Sequence, residues 1–505
     1  MNRYDLLRYE RADHANPQNW IGNLRWYAEE NALPLSYTFC AIPSLMQEGQ
    51  YRGNDYDMRR ILCSIQLNTP YEYTKVTYGA DYNRSETQED TIKLSFPYYK
   101  HAAVVQCRLS EKSSILLRTS ANSGRVTKEK EYVSVSQIER GFVFDDNGYY
   151  VVALTDGHTI TAGDDITITG NNVKIAIAFH KDRKKAIEEA LEAFDETEKV
   201  LAESCKFWQD YLDSCPVVML ENNIEYYSEY GKRNEVYTPE ELLVRQLWHW
   251  WVIPVNVNKL EFNKLPIYMA PDKINWKGTW SNDGPESLCA LSLTNLSGLA
   301  KEGLVQYIAH SISAGGAHSW YMHADGTGCY HNPGDSGYYS HGVPNIVHAV
   351  DFYIRNTGDT SILECDGGHG MTVWEKLKRY MESVFSDRDI NGDGLIEWVN
   401  LWETGWDDKI SPFFKEKPID EWINAMTTLD ADGIAKFYAE NSHPVTPIVE
   451  QVYMLWALKG MENMAKLKKD ETLAADCREK YARMLNTVRA KQWDEETGFY
   501  YDIDV

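Results

Sequence analysis

WVNLWETGWDD, residues Trp398 to Asp408, decides how the rest of the chain is read. Three tryptophans, Trp398, Trp402 and Trp406, are interleaved with three acids, Glu403, Asp407 and Asp408. Carboxylates and large flat rings seldom crowd together on an ordinary surface. Sugar rings stack their C–H faces on aromatics, and glycosidic bonds are cut by carboxyl groups. One such carboxyl must keep its proton near neutral pH, which apolar neighbours help it do. The plainer alternative is a helix end with core tryptophans and a solvated acidic turn. Trp402 and Trp406 are four apart, as are Glu403 and Asp407, so on a helix each pair lines one face.

Outward from this stretch, the composition sets limits. A chain of 505 residues predicts two or more domains at ~150 residues each. Apolar residues at 43% supply large cores, and 33 tyrosines and 16 tryptophans argue against disorder. A formal charge of −24 repels nucleic acid and anionic membranes, and suits a neutral substrate such as a sugar. Nine scattered cysteines without a CxxC read as reduced thiols, and the start MNRYDLLRYERADH has no apolar signal segment. The reduced thiols predict a cytoplasmic protein, and no run is long and apolar enough to span a bilayer.

Upstream, residues 1–196 read as an antiparallel β-sandwich. Strand-like runs fall at Ile61–Leu67, Thr91–Phe96, Ala102–Leu109, Ser114–Thr119, Gly141–Phe144, Tyr149–Leu154, Asp165–Ile168 and Val173–Phe179. Turn signals at Asn147-Gly148, Gly157 and Gly170 separate them. The pattern turns helical from Arg183 to Leu212, and residues 197–237 are read as a helical linker. From 238 to 505 the chain reads as helices joined by aromatic, glycine-rich loops, beginning with the cap signal Thr238-Pro239-Glu240-Glu241. Further helices are predicted near Glu286–Leu293, Leu299–Ile312, Pro344–Arg355, Thr372–Phe385, Pro444–Leu467 and Thr472–Trp493. Chemistry confined to loops between amphipathic helices suggests a helical barrel, and the long loop Ser313–Val343 is of a length usually tied to function.

Three more motifs stand beside the acid stretch. WKGTWSND, Trp276 to Asp283, offers Trp280 for stacking and Asp283 to accept sugar hydroxyls; the plain alternative is that Asp283 caps the next helix. Histidines 310, 318, 323, 331, 341 and 348 fit no zinc-ligand spacing and read as pocket-lining groups or partners of backbone carbonyls. In DRDINGDGLIE the oxygen-bearing side chains Asp387, Asp389, Asn391 and Asp393 alternate around Gly392, like the opening of a calcium loop. Counted from Asp387 the twelfth position is Trp398, so a full EF-hand is not supported. Calcium is the expected ion there, with Glu397 or Glu450 as a further ligand, and an Asx-rich turn without metal is the alternative.

WETGWD, Trp402 to Asp407, resembles the W-E-S-G-W/R/M-D signature of the inverting glycosidases that include processing α-glucosidase I, its bacterial relatives and trehalase. The match is best to glycoside hydrolase family 63. WKGTWSND resembles that family's W-x-W-D motif, DRDINGDGLIE its bacterial calcium loop, and KQWDEETGFYYDIDV its corresponding segment. The resemblance covers roughly residues 240–505, with the N-terminal region matching by architecture. It implies an N-terminal antiparallel β-sandwich followed by an (α/α)6 catalytic barrel. It makes Asp407 the general acid, Asp283 a sugar-binding aspartate, and places Trp280, Trp402, Glu403 and Trp406 around the glycone. Thr404 stands where the family has Ser, and Asn282 where it has an aromatic.

The implied substrate is an α-glucoside or similar small glycoside. Inversion needs a second carboxylate about 6.5–9.5 Å from the acid. The family's base is a glutamate past the FYYD-like segment, where this sequence stops, and fewer helices are legible than two full rings need. The chain is therefore expected to carry an incomplete barrel, truncated or completed by a second polypeptide. A phosphorylase of related fold and a non-catalytic carbohydrate binder are the competing expectations. The first needs a cationic phosphate pocket, and Lys409 is the base nearest Asp407 in sequence.

Overall fold

The computed structural model describes residues 2–11, 19–22, 27–32, 35–41, 60–118, 134–146, 149–162, 165–228, 233–259, 265–271, 278–322, 326, 341–399, 421, 424, 428 and 444–504. The chain divides into two compact units, one mainly of residues 1–45 and 56–262, the other mainly of 263–505.

The first unit is built on two antiparallel sheets. One has nine strands in the spatial order Tyr9–Arg11, Tyr73–Tyr78, Tyr82–Thr87, Thr91–Ser95, Ala102–Arg108, Asn172–His180, Tyr149–Thr155, Gly141–Asp146 and Ser134–Ile138. The other has seven: His158–Ala162, Asp165–Thr169, Ser114–Arg118, Arg60–Asn68, Leu35–Ala41, Tyr27–Ala32 and Asn19–Gly22. Alternation puts Ile92, Leu94, Val105, Phe144 and Val151 of the first sheet against Phe39, Ile65, Ile115 and Ile168 of the second, in one continuous core. All eight strands expected from the sequence are present.

The strand Asn172–His180 reads as nearly unbroken apolar sequence because both of its faces are covered. Val173, Ile175, Ile177 and Phe179 enter the core between the sheets. Ala176 and Ala178 face the other way, under helix α1 (Arg183–Asp195), and meet Ala186, Ala190 and Ala193. Small residues on both surfaces let helix and sheet approach closely. Asp182 caps α1 by accepting from the amides of Lys184 and Lys185.

The helical run expected from 183 to 212 is two helices, α1 and α2 (Thr197–Ser214), separated at Glu196. The break has a local cause. Thr197 Oγ1 donates to the carbonyls of Ala193 and Phe194, 2.7 and 2.9 Å away, capturing acceptors that a continuous helix would use. Helix α3 (Pro239–Asn256) starts with the expected capping box: Thr238 Oγ1 accepts from Glu241 N, and the Glu241 carboxylate accepts from Thr238 N. It packs within the same unit. Tyr98 Oη donates to Pro254 O at 3.0 Å, Tyr211 Oη to Trp250 O at 2.8 Å, and Trp251 Nε1 to Ala80 O at 2.6 Å.

In the second unit the described helices are α4 (Asp283–Leu291), α5 (Ser297–Ser311), α6 (Asn345–Thr357), α7 (Val373–Arg388), α8 (Ile448–Leu467) and α9 (Glu471–Lys491). Helices α8 and α9 form a hairpin pinned by Glu462. Its buried carboxylate faces Lys466 at 2.6 Å, and Lys459 and Arg478 at 2.9 Å each. The final segment folds back on α8. Ile503–Asp504 pairs with Val445–Thr446, and Asp502 Oδ1 accepts from Ile448 N at 2.8 Å, serving the cap that Pro447 cannot supply. Among the described residues no helix is long and apolar enough to cross a membrane.

Candidate functional site

The expected acid Asp407 and its neighbours Trp402, Glu403 and Trp406 lie outside the described residues, as do Trp276, His323 and His331. Their flanks are described. Trp398 is fully buried and exchanges two hydrogen bonds with Val445: Trp398 N to Val445 O at 2.8 Å and Val445 N to Trp398 O at 2.9 Å. The chain on either side of residues 400–443 is thus joined at one bridge. Glu397, next to that bridge, is fully buried, with its Oε2 accepting from Ile390 N at 2.7 Å. Burial, with Asp393 and Asp389 nearby, pushes its carboxyl up to about 7.

Trp280 and Asp283 open a constellation on α4. The short strand Thr279–Trp280 pairs with Tyr321–Met322, which lies in the long loop after α5. The pairing brings three rings together: Trp280 lies 5.3 Å from Trp320 and 4.8 Å from Tyr321, tilted by 47° and 51°. Gly278 makes this approach possible, because a Cβ there would come within 2.2 Å of the Tyr321 ring. Asp283 is the exposed first residue of α4. Asn282, before it, makes no side-chain cap bond. Glu286 follows one turn along the same face.

Two other helices reach this turn. From α6, Asn345 Nδ2 donates to Asn282 Oδ1 at 2.6 Å and to Glu286 Oε1 at 3.2 Å. From α8, Tyr453 Oη donates to the same Glu286 oxygen at 3.2 Å. Loss of solvent raises the Glu286 carboxyl, the charge of Asp283 adds to it, and the two donors partly offset both. Tyr453 is pushed up to about 12, first by burial and then by Glu286. The result is a rim of tilted rings, a carboxylate on offer, a second carboxyl whose pKa is raised, and an amide. Such groups suit a polyhydroxylated ring. Sequence reasoning named Trp280 and Asp283 and did not name Trp320, Tyr321, Glu286, Asn345 or Tyr453, which the structure places near them. The run Ser319-Trp320-Tyr321 inside an already suspect loop was the available signal.

The histidines divide. His318 is fully buried, with Nδ1 3.1 Å from Gly342 O and Nε2 3.1 Å from Tyr307 Oη. A carbonyl only accepts, so Nδ1 carries the proton and Nε2 accepts from the tyrosine. Tyr380 Oη donates to the same Gly342 O at 2.8 Å. This knot ties the long loop to α5 and α7 and holds up the Trp320–Tyr321 shelf. His341 Nε2 meets Asp387 Oδ2 at 2.9 Å.

Of the expected calcium ligands, Asp387 sits in the last turn of α7, beside His341, which holds its carboxyl below the usual range. Asp389, Asn391 and Asp393 form the turn itself, with Gly392 and Gly394 both left-handed at φ +74° and +87°. Their oxygens accept from Gly394 N, Asp393 N and Leu395 N at 3.0, 2.9 and 2.8 Å. Counted from Asp389, the sixth position is Gly394 and the ninth Glu397, in the order of a calcium loop. The donors are hard oxygens, and after burial the charges of Asp393 and Asp389 help raise the Glu397 carboxyl, so the set fits a divalent cation in type. Lys491 of α9 now supplies the counter-charge, 2.6 Å from Asp393 Oδ2. Among the described residues no group of three His, Cys, Asp or Glu is already gathered around one point.

Residues 340–505 match the family of the mannosylglycerate hydrolase MGH1-like glycoside hydrolase domain. This part of the chain is therefore similar to a glycoside hydrolase domain of the MGH1-like type. It holds the acid stretch, the calcium-like loop, Asn345 and Tyr453. No curated protein matches the chain. Among solved structures, the family 63 mannosylglycerate hydrolase of Thermus thermophilus, in complex with glucose, is 16% identical over 47% of this chain and 62% of its own, with a TM-score of 0.33. This chain therefore spans less than two thirds of that relative. A bacterial glucoamylase complexed with acarbose is 9% identical over 97% of this chain and 71% of its own, with a TM-score of 0.50. A putative kojibiose phosphorylase from the human microbiome is 10% identical over 95% and 64%, with a TM-score of 0.47. The glucoamylase likeness is one of fold alone and reaches the part of the chain upstream of residue 340.

Proposed function

We propose that the protein is an inverting glycoside hydrolase acting on α-glucosides or similar small glycosides. Asp407 protonates the glycosidic oxygen as the bond to the anomeric carbon breaks. Trp402 and Trp406 keep its surroundings dry and its proton in place. Trp280, backed by Trp320 and Tyr321, stacks on the sugar, and Asp283 and Glu403 accept its hydroxyls. The observation that carries this reading is the convergence of Trp280, Asp283, Glu286, Asn345 and Tyr453, from three helices and a paired loop, with Asn345 and Tyr453 inside the part of the chain that matches a glycosidase domain. Asp389, Asn391 and Asp393 are proposed to hold a structural calcium ion that fixes the turn leading into the acid stretch.

The test is hydrolysis of a panel of p-nitrophenyl α-glycosides by the purified chain and by Asp407→Asn, with the anomer of the product followed by NMR. The expected outcome is inverted product and a loss of about 10²–10⁴-fold in kcat for the variant, with KM little changed. An Asp407→Asn protein as active as the parent refutes the acid. Release of sugar 1-phosphate only when phosphate is added refutes hydrolysis in favour of phosphorolysis.

A further inference from the structure

A second polar cleft lies in the sheet-bearing unit, on the outer face of the nine-stranded sheet. Helix α1 covers that face over Ala176 and Ala178 and ends at Asp195, beside a cleft on the same face. The floor of the opening is a row of side chains in register across four strands. Arg84 is directly opposite Lys93, Lys93 opposite Gln106, and Gln106 opposite Lys174. One step along, Thr91, Arg108 and Asn172 form a second row. The far wall is the elbow between α1 and α2, from Asp195 to Lys199. The cleft has a volume of about 620 Å³, in the range of small-molecule sites.

A row of cations is costly here. Neighbouring strands are about 4.8 Å apart, and like charges directly opposite each other destabilise a sheet. The costs are only partly met from within. Arg84 pairs with Glu86 at 3.0 Å. Lys93 has a ring beneath it, 4.6 Å from the centroid of Tyr82. Lys174 donates to Phe194 O at 2.6 Å, at the negative end of α1. Lys93 also feels the charge of the buried Asp81, and among the described residues neither Lys93 nor Arg108 makes a direct ion pair with a carboxylate. The acids on the wall are mostly engaged: Asp195 with Arg140, Glu196 with Lys199, and Asp156 with the amide of Lys174. Helix α2 adds its positive end, for Glu196 gives it no side-chain cap.

The geometry points to a binding site for a small sugar that bears one acidic group, a carboxylate or a phosphate. Lys93 and Arg108 take the acidic group. Gln106, Asn172 and Glu198 face the hydroxyls. Among the described residues no aromatic ring lines the cleft, which argues against a nucleobase or a lipid tail. The site lies wholly within the first unit and stands independently of the hydrolysis proposed above.

The full chain is titrated calorimetrically with glucuronate, glucose 6-phosphate, glucose and inorganic phosphate, in low and high salt. Either acidic sugar is expected to bind more tightly than glucose, and less tightly as salt rises. The better of the two identifies the acidic group. The double variant Lys93→Gln, Arg108→Gln is expected to lose about tenfold or more in affinity, with its melting curve kept. Lys93→Gln alone, the milder change, should show part of that loss. Asp407→Asn should leave the binding as it is. The proposal is overturned if neither acidic sugar binds more tightly than glucose, if inorganic phosphate alone binds, or if the double variant binds as the parent does. It is overturned equally if Asp407→Asn abolishes the binding while the double variant keeps it.

Discussion

Acid should loosen this protein through His318. The ring is buried and neutral, and burial holds its pKa down at about 3, against 6.5 in an unfolded chain. The unfolded state therefore takes up a proton as the pH falls through 6.5, while the folded state takes none until near 3. Stability from this group is complete above pH 6.5 and drains away over that whole window. The slope approaches 1.4 kcal/mol per pH unit, and between pH 7 and pH 5 the loss comes to about 2 kcal/mol. That figure does not depend on where below pH 5 the folded group finally titrates. Partner chemistry gives the same sign: Nε2 accepts from Tyr307, and a proton there leaves the hydroxyl nothing to donate to. The assay is urea unfolding followed by tryptophan fluorescence at pH 7, 6 and 5. His318→Asn keeps a donor near Gly342 O but cannot titrate; it should start less stable and lose about 2 kcal/mol less than the parent over the same range. His310 and His348, also lowered chiefly by burial, titrate in both proteins and cancel in the difference. Parallel slopes for parent and variant would refute the reasoning.

Other perturbations follow from the same contacts. Calcium in the millimolar range is expected to raise the melting temperature and a chelator to reverse it; Asp389→Ala should abolish the response. Lys491→Met, which removes the resident counter-charge at Asp393, should strengthen it, and a melting curve blind to calcium in all three proteins would dismiss the ion. Glu462→Gln keeps the shape but leaves Lys459, Lys466 and Arg478 facing a neutral group. Those cations are half exposed, so a loss of only about 1 kcal/mol is expected in the urea midpoint, shrinking with added salt. Gly278→Ala should push Tyr321 off the Trp280 strand; near-ultraviolet circular dichroism should change and KM for a glycoside should rise several-fold, with the far-ultraviolet spectrum kept.

What could be read in advance was whatever local periodicity controls. Thr91–Ser95 announces itself through Ile92 and Leu94, and α3 through Thr238 and Glu241. Tyr82–Thr87 does not, because its inward positions are Asn83, Ser85 and Thr87, buried polar groups with no apolar alternation. The α1–α2 break carries neither glycine nor proline; it is set by a threonine side chain competing for carbonyls. The calcium-like loop was legible as alternating oxygens, but its starting point was not. Sequence placed the end of α7 near Phe385, whereas the helix runs on through Arg388, whose fully buried residue accepts from Glu397 N through its carbonyl at 2.7 Å. That extra turn takes Asp387 into the helix and hands the first loop position to Asp389.

The candidate site shows the same division more sharply. Trp280 and Asp283 could be named because ring and acid stand together in one short motif. The residues that give them company come from the 319–321, 345 and 453 regions, joined by a strand pair and by helix packing that no local pattern encodes. The shelf under Trp280 depends on His318, which works through the loop it anchors. A histidine-rich loop beside aromatic residues invites a metal or an acid–base reading, yet both ring nitrogens of His318 are engaged, Nδ1 with Gly342 O and Nε2 with Tyr307 Oη, and burial keeps the ring neutral. Its contribution is to fix the backbone from which Trp320 and Tyr321 project. For that reason His318→Asn should alter glycoside binding as well as acid stability, and the two effects should separate: the first persists at pH 7, where the ring of the parent is neutral, and the second grows only below 6.5.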